Sequence, residues 1–454
     1  VKYFAFFLLI GLNLMTLPAK ADDTRILDIQ EFTSESGVDF WLVEDHTLPI
    51  ITMNFAFRGA GSINDPTGKD GLGQLLSNVL DEGAGERDAQ AFQQALQDHA
   101  IDLSFSNSRD HFTGKIKTLS KHQDLAFGLL KDALTSPRFE EEAISRMENA
   151  NIMRIKSSQS NMDWAAARLM NATYFGDHTY ARNSGGTISG LKSITVEDLK
   201  NYHQEFLTRN RLVIAVAGDI TPALAKTLVD RIFGSIPTGQ NPDALDRISA
   251  PEKNLKKAFR TQSPQSVVHM VWPSLPKSDP DYHAYRVLNH LLGAGGFSSE
   301  LMEEVREKRG LTYGIYSRPV HMDYADYLAI EAATSPENVV PMMTAVTDVI
   351  NGFKNKPVDD EKLADAKSYL IGSLPLRFSS TQRLSSVPLS MQLDNLPITM
   401  LDDWTDNINA VTSADIKHVA RRIFETAEPK AKVVAGAVPE GIDFEMVETL
   451  PGVE

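Results

Sequence analysis

At 454 residues the chain is long enough for two or three domains, and its 42% hydrophobic and 23% charged residues are those of a globular protein. A formal charge of −15 argues against the basic surface that nucleic acid and anionic membranes require. The absence of cysteine excludes a disulfide framework, thiolate metal sites and lipid attachment through an N-terminal cysteine.

The N-terminus carries Lys2, an apolar run from Tyr3 to Pro18, and Ala19-Lys20-Ala21, which offers small residues at the two positions a signal peptidase reads. The run is shorter than the ~20 residues that cross a bilayer as a helix. Residues 1–21 therefore read as a cleaved signal peptide and the mature chain as exported to the periplasm. Loss of Lys2 and Lys20 takes the formal charge to −17.

The stretch "GLGQLLSNVLDEGAG", Gly71 to Gly85, has helical periodicity. Leu72, Leu75, Leu76, Val79 and Leu80 make an apolar stripe, and Gln74, Ser77, Asn78 and Asp81 make a polar one. Asp70 is placed to cap the start, and Gly83 suits the stop. On an amphipathic helix such a polar stripe is ordinarily the solvated face.

Two stretches then match each other. "TVEDLKNYHQEFLTRNRLVIAVAGDI" from Thr195 and "TSADIKHVARRIFETAEPKAKVVAGAV" from Thr412 each predict a capped helix and a strand ending in Val-Ala-Gly, at an offset of 217 to 218. "HFTGKIKTLSKHQDLAFGLLKDAL" and "DYLAIEAATSPENVVPMMTAVTDVI" each predict strand, turn at Ser120 or Ser335, then helix, at an offset of 215. The held register implies an internal duplication. Strands grouped together, rather than alternating strictly with helices, predict an α+β fold of two homologous halves, each a mixed sheet packed with helices. The predicted partition is 22–240, a linker over 241–254 within a Pro- and Gly-rich stretch, and 255–454.

Direct searches for chemistry come back empty. No two of the eleven histidines stand three or four residues apart, so no helix offers the His pair of a His-x-x-x-His zinc site. No Gly-x-Ser-x-Gly elbow occurs. "GAGGFSSEL", Gly293 to Leu301, is Gly-rich but lacks the Lys-Ser/Thr of a phosphate loop, and reads as a helix entry capped by Ser298 or Ser299.

From about Ile26 to Val438 the chain resembles the pitrilysin–insulinase family of inverted zincins, which includes mitochondrial processing peptidase and bacterial two-chain peptidases. "GLGQLLSNVLDEGAG" stands where active members carry His-x-x-Glu-His, whose histidines bind zinc and whose Glu is the general base. "FGDHTYARNSGGTISGLKSIT" resembles the family's His-Pro-Tyr-Gly-Arg stretch, and "GAGGFSSELMEEVREKRGLTYGIYS" its second-half opening. Carried across residue by residue, the first His is Gln74, the base is Ser77, the second His is Asn78, and the third ligand falls on Arg154. The resemblance thus implies a degenerate site with no zinc in this chain.

"REKRGLTY" keeps Arg306 and Tyr313 where the family carries an Arg/Tyr pair. The resemblance implies that the phenol stabilises an oxyanion and the guanidinium grips the substrate. Arg306 is expected in the last turn of a helix from about Ser298, with Gly310 ending it and Tyr313 on the next strand. Seen alone, an Arg in a last turn and a Tyr on a strand are ordinary structural residues. The implied function is that of the non-catalytic, substrate-binding subunit of an exported heterodimeric zinc metallopeptidase, forming a clamshell with a homologous zinc-bearing partner. The alternative is a non-enzymatic peptide-binding or assembly scaffold. Neither reading involves nucleic acid or membrane.

Overall fold

The computed structural model describes residues 25–240 and 246–454. The expected signal peptide and the first five residues of the expected linker lie outside the described residues. Two six-stranded mixed sheets build an α+β molecule. The first contains β1 (Gln30–Thr33), β2 (Asp39–Glu44), β3 (Ile50–Phe57), β4 (Asp102–Asn107), β5 (Phe112–Leu119) and β6 (Leu212–Gly218), in the order β1-β2-β6-β3-β5-β4. The second contains β7 (Leu255–Arg260), β8 (Ser266–Pro273), β9 (Gly314–His321), β10 (Asp326–Thr334), β11 (Ala431–Gly436) and β12 (Glu445–Met446), in the order β12-β7-β11-β8-β10-β9.

Removing β1 and β12 leaves the same strand order twice, with the same mixture of parallel and antiparallel neighbours. The duplication read from the sequence is therefore in the topology. It extends to the caps: Thr195 with Asp198 and Thr412 with Asp415 each form a reciprocal capping box. The sixth strand breaks the repeat. β1 enters antiparallel to β2 from the N-terminal side, whereas β12 arrives from the C-terminal end and lies parallel to β7.

β3 reads "IITMNFAF" and is buried at seven consecutive positions, as a central strand covered on both faces must be. What covers its second face comes from the other half. The Thr381–Leu393 helix lies across β3 and β6, placing Leu389 on Ala56, Val213 and Ala215. Reciprocally, the Met162–Phe175 helix lies across β7, β8 and β11, placing Ala165 and Ala166 on Val267 and Ala435. Each half thus lends one helix to its neighbour's sheet.

The two seams differ in chemistry. Under the Thr381–Leu393 helix, Thr52 and Ser385 hydroxyls meet at 2.8 Å, Asn54 Nδ2 donates to Ser385 Oγ at 2.6 Å, and Gln392 Nε2 donates to the Ile214 carbonyl at 2.9 Å. Beneath the other helix the contact is mostly apolar, joining Leu169, Tyr174 and Phe175 to Val271, Ala329 and Val433. The chain's last residues tie back to the first half: Ile188 N donates to the Val453 carbonyl at 3.0 Å, and Asn183 Nδ2 to that of Gly452 at 3.2 Å. Among the described residues no helix is long and apolar enough to cross a membrane.

Candidate functional site

The Leu72–Val79 helix forms where the periodicity places it, with Leu72, Leu75, Leu76, Val79 and Leu80 at most 3% exposed in the first half's core. Its cap differs from the expectation. Asp70 makes no cap bond; the carboxylate of Asp65 instead accepts from Gly71 N at 2.8 Å and Gly73 N at 3.0 Å. Burial pushes the Asp65 carboxyl up to about 7, against the pull of those two amides. Gly83 takes a left-handed φ of +105°, but three residues beyond the helix end at Leu80, so it shapes the exit and does not stop the helix.

The polar stripe is not a solvated face. Gln74 Nε2 donates to Asn78 Oδ1 at 3.1 Å and to Ser77 Oγ at 3.3 Å, and Ser77 Oγ donates to the Gln74 carbonyl at 2.7 Å. Asn78 Oδ1 accepts a second bond, 2.9 Å, from Asn151 Nδ2 on the Glu141–Ser158 helix. Arg154, one turn further along that helix, donates from Nη2 to Asn151 Oδ1 at 3.1 Å and to the Gly185 carbonyl at 3.4 Å. The fold therefore gathers Gln74, Ser77, Asn78 and Arg154 into one cluster, and the hub is Asn151. Sequence reasoning missed Asn151, although its i−3 spacing from Arg154 places both on one helix face.

Zinc does not fit this cluster. Zinc takes imidazole, carboxylate or thiolate, while these positions offer two amides, a hydroxyl and a guanidinium. The Asn78 oxygen that could face a metal already accepts two N–H groups. Among the described residues no group of three or more His, Cys, Asp or Glu side chains could hold a metal ion.

The second candidate pair lies in the other half. Between β8 and β9 the Tyr282–Asn289 helix widens into a π turn at His290–Ala294, a loop follows, and a second helical segment is π-wound over Met302–Glu307. Such widened turns recur at functional sites because they displace side chains from the ordinary helical lattice. Arg306 sits in the last turn, as expected, and Gly310 ends it at a φ of +63°. Two details differ. Tyr313 stands one residue before β9, and the Ser299 hydroxyl donates back to the Gly296 carbonyl at 2.7 Å instead of capping the helix; Ser298 likewise turns back, to Gly295.

The geometry brings Arg306 and Tyr313 together and adds a third residue. The guanidinium carbon lies 5.5 Å from the Tyr313 ring centroid and 4.7 Å from that of Phe297. Tyr313 is 89% exposed and Phe297 67%. Both distances are within cation–π range, so the two rings attract the guanidinium. Its nearest acid is Glu307, at 4.0 Å. Phe297 carried no signal in the sequence beyond its place in the Gly-rich loop.

The third stretch is architectural. Tyr180 is buried, its hydroxyl donates to the Asp110 carboxylate, and Tyr324 N of the second half donates to that hydroxyl at 3.3 Å. Arg182 donates to the Asp65 carbonyl at 3.0 Å. These residues lock the seam and the base of the Leu72–Val79 helix.

This fold, with its emptied ligand set and its exposed Arg/Tyr pair, defines a zinc-peptidase relative that lacks its own metal ligands. Residues 57–187 match the insulinase family (peptidase family M16), and residues 193–370 match the peptidase M16 inactive domain. The chain belongs to peptidase family M16. It is 28% identical to the non-peptidase homolog YmxG of Helicobacter pylori, over 83% of this chain and 85% of that one. It is 24% identical to the uncharacterized zinc protease YmxG of Bacillus subtilis, over 87% and 96% respectively. The crystal structure of a peptidase M16 inactive domain from Pseudomonas fluorescens superposes with a TM-score of 0.84 at 26% identity, covering 92% of this chain and all of that one.

Proposed function

We propose that this inactive M16-family chain is the non-catalytic, substrate-binding subunit of an exported, periplasmic zinc metallopeptidase, and that a homologous partner supplies the zinc. Residues 22–240 then form a peptidase-like domain with a degenerate metal site, 241–254 a linker, and 255–454 the domain that carries the substrate-binding pair. The observation that supports this reading is the exposed Phe297–Arg306–Tyr313 stack. A tyrosine exposed to 89% contributes almost nothing to this chain's core, so its position points outward, to another molecule.

In the composite site the Tyr313 phenol donates to the substrate carbonyl oxygen as it becomes an oxyanion. Arg306 holds a neighbouring carbonyl, with the Phe297 and Tyr313 rings beside it limiting its movement. Water activation belongs to the partner, because Gln74, Ser77, Asn78 and Arg154 supply neither zinc ligand nor base. A second reading, a peptide-binding or assembly scaffold without any enzymatic partner, is favoured by the complete loss of ligands. A zinc-motif relative encoded alongside supports the first reading, and its absence supports the second.

Purified alone, the chain carries no stoichiometric zinc and cleaves no peptide. Metal analysis finding about one zinc per chain refutes this. With the partner present, Tyr313→Phe lowers turnover by roughly 10²–10³, the cost of one oxyanion donor, while the complex still assembles by size exclusion. An unchanged rate removes Tyr313 from the site.

A further inference from the structure

The seam under the Met162–Phe175 helix holds two arginines that the peptidase reading does not use. Arg168 lies in the middle of that helix, which the first half lends to the second sheet. Arg109 lies in the turn between β4 and β5. Both reach the same short piece of backbone. Arg109 Nε donates to the Tyr180 carbonyl at 3.2 Å, and Arg168 Nη2 donates to the next carbonyl, that of Ala181, at 3.4 Å. Consecutive carbonyls thus hold two like charges beside each other.

Arg168 is only 3% exposed, and a charge so far from water is ordinarily held by an opposite one. Among the described residues no acid acts on it. Burial, followed by the repulsion of Arg109, pulls its pKa down to about 9. The bond to Ala181 leaves Nε and Nη1 without a partner among the described residues. Asp110 acts on Arg109 through space, but its carboxylate is engaged by the Tyr180 hydroxyl and by Asp323 N at 3.3 Å. From the second half, Tyr327 of β10 adds a buried phenol within electrostatic reach of both arginines. Its ring packs on Tyr174 at 5.6 Å and Phe175 at 6.0 Å, and its hydroxyl has no hydrogen-bond partner among the described residues. Arg109 also lines a cleft of about 680 Å³ between the halves, which gives a small ion a way in.

We propose that Arg168, Arg109 and the Tyr327 hydroxyl form a binding site for a small oxyanion, of the phosphate, sulfate or carboxylate kind, which joins the exchanged helix of the first half to β10 of the second. Guanidinium groups hold oxyanions through paired N–H donors, and two of them with a phenol supply more donors than the two carbonyls accept. The ion supplies the counter-charge that the chain itself does not place beside Arg168. The site shares no residue with the Arg306–Tyr313 pair or with the Asn78 cluster, so it stands whether or not the chain has a peptidase partner.

The experiment is a thermal melt of the purified chain in chloride buffer of fixed ionic strength, with phosphate, sulfate or acetate replacing part of the chloride at millimolar concentration. Such concentrations are too dilute for the general stabilisation that excluded salts give. At least one of these ions raises the melting temperature, with saturation, by about 2 °C or more. A rise with phosphate and sulfate alone assigns the site to tetrahedral ions, and an equal rise with acetate assigns it to carboxylates. Arg168→Met removes the charge and abolishes the rise, and isothermal titration with the same ion shows binding weakened by about 10-fold or more. Circular dichroism confirms that the variant is folded; if it is not, Arg109→Gln, on the cleft side, carries the same expectation. No saturable rise with any of the three ions, or a rise that survives in the folded variant, overturns the proposal.

Discussion

The two halves share five strands and both capping boxes, yet they present opposite surfaces at corresponding places. In each, two helical segments stand between the third strand of the shared order and the edge strand. In the first half, the polar side chains of that region bond to one another and to Asn151. In the second, Arg306, Phe297 and Tyr313 stack in the open. The ladders locate the divergence: the 215 offset equates Lys117 with Ala332, whose partners Asp102 and Ile315 then correspond, so Tyr313, two residues before Ile315, occupies the place of Ala100. Ala100 takes a φ of +51° and offers only a methyl group. A duplicated scaffold fixes where a site can be, and a few loop residues decide whether it faces inward or outward.

The widest difference between the halves is tested by making Tyr313 like its counterpart. With the partner present, Tyr313→Ala lowers turnover by at least the 10²–10³ of a lost oxyanion donor. Its unfolding free energy in denaturant changes by no more than about 0.5 kcal/mol, because an exposed side chain carries little stability. A large loss of stability would show that the stack is structural and break the comparison.

The exchanged helices give the next test. Ser385→Val removes the acceptor of Asn54 Nδ2 under the Thr381–Leu393 helix and costs about 2 kcal/mol by urea denaturation. On the apolar seam, Ala166→Leu overpacks the contact with Val267 and Ala435 and costs about 1 kcal/mol or more. If Ser385→Val is neutral, the polar seam is no more specific than the apolar one.

The smallest effect concerns pH. Burial pushes the Asp81 carboxyl up to about 6, with Gln93 donating to it at 3.5 Å and, among the described residues, no cation paired with it. Because the folded pKa lies above the unfolded one, the folded state holds more protons between about pH 4 and 6, and stability falls as pH rises through that window. Asp81→Asn should flatten the fall and stabilise the chain at pH 8 by on the order of 1 kcal/mol. Thermal melts at pH 5 and pH 8 measure it. An unchanged slope assigns the dependence to Asp65, the more strongly shifted carboxyl of the first half.

Much of the architecture was legible locally. Thr195 and Thr412 announced equivalent helices because a capping box is a contact within four residues, and the 215-residue repeat survived because strand, turn and helix are coded in short patterns. The poor zinc-binding chemistry of Gln74, Ser77, Asn78 and Arg154 is a matter of residue type alone and needs no fold to be read. The cap on the Leu72–Val79 helix was not, because Asp65 reaches it through a loop, bypassing Asp70. Nor was Phe297, whose partner Arg306 is nine residues away across a 3₁₀ turn and a π segment that no periodicity predicts.

By itself, the sequence determined the duplicated α+β halves and the residue types at Gln74, Ser77, Asn78 and Arg154, none of which is a ligand zinc favours. Only the tertiary structure decided that the halves exchange helices, that Asn151 joins Gln74, Ser77, Asn78 and Arg154 into one cluster, and that Arg306 lies near two exposed rings. The physical reason is range. Residue chemistry and helix or strand period act over a few positions, whereas these contacts join segments brought together by packing, with nothing in the linear order to mark the meeting.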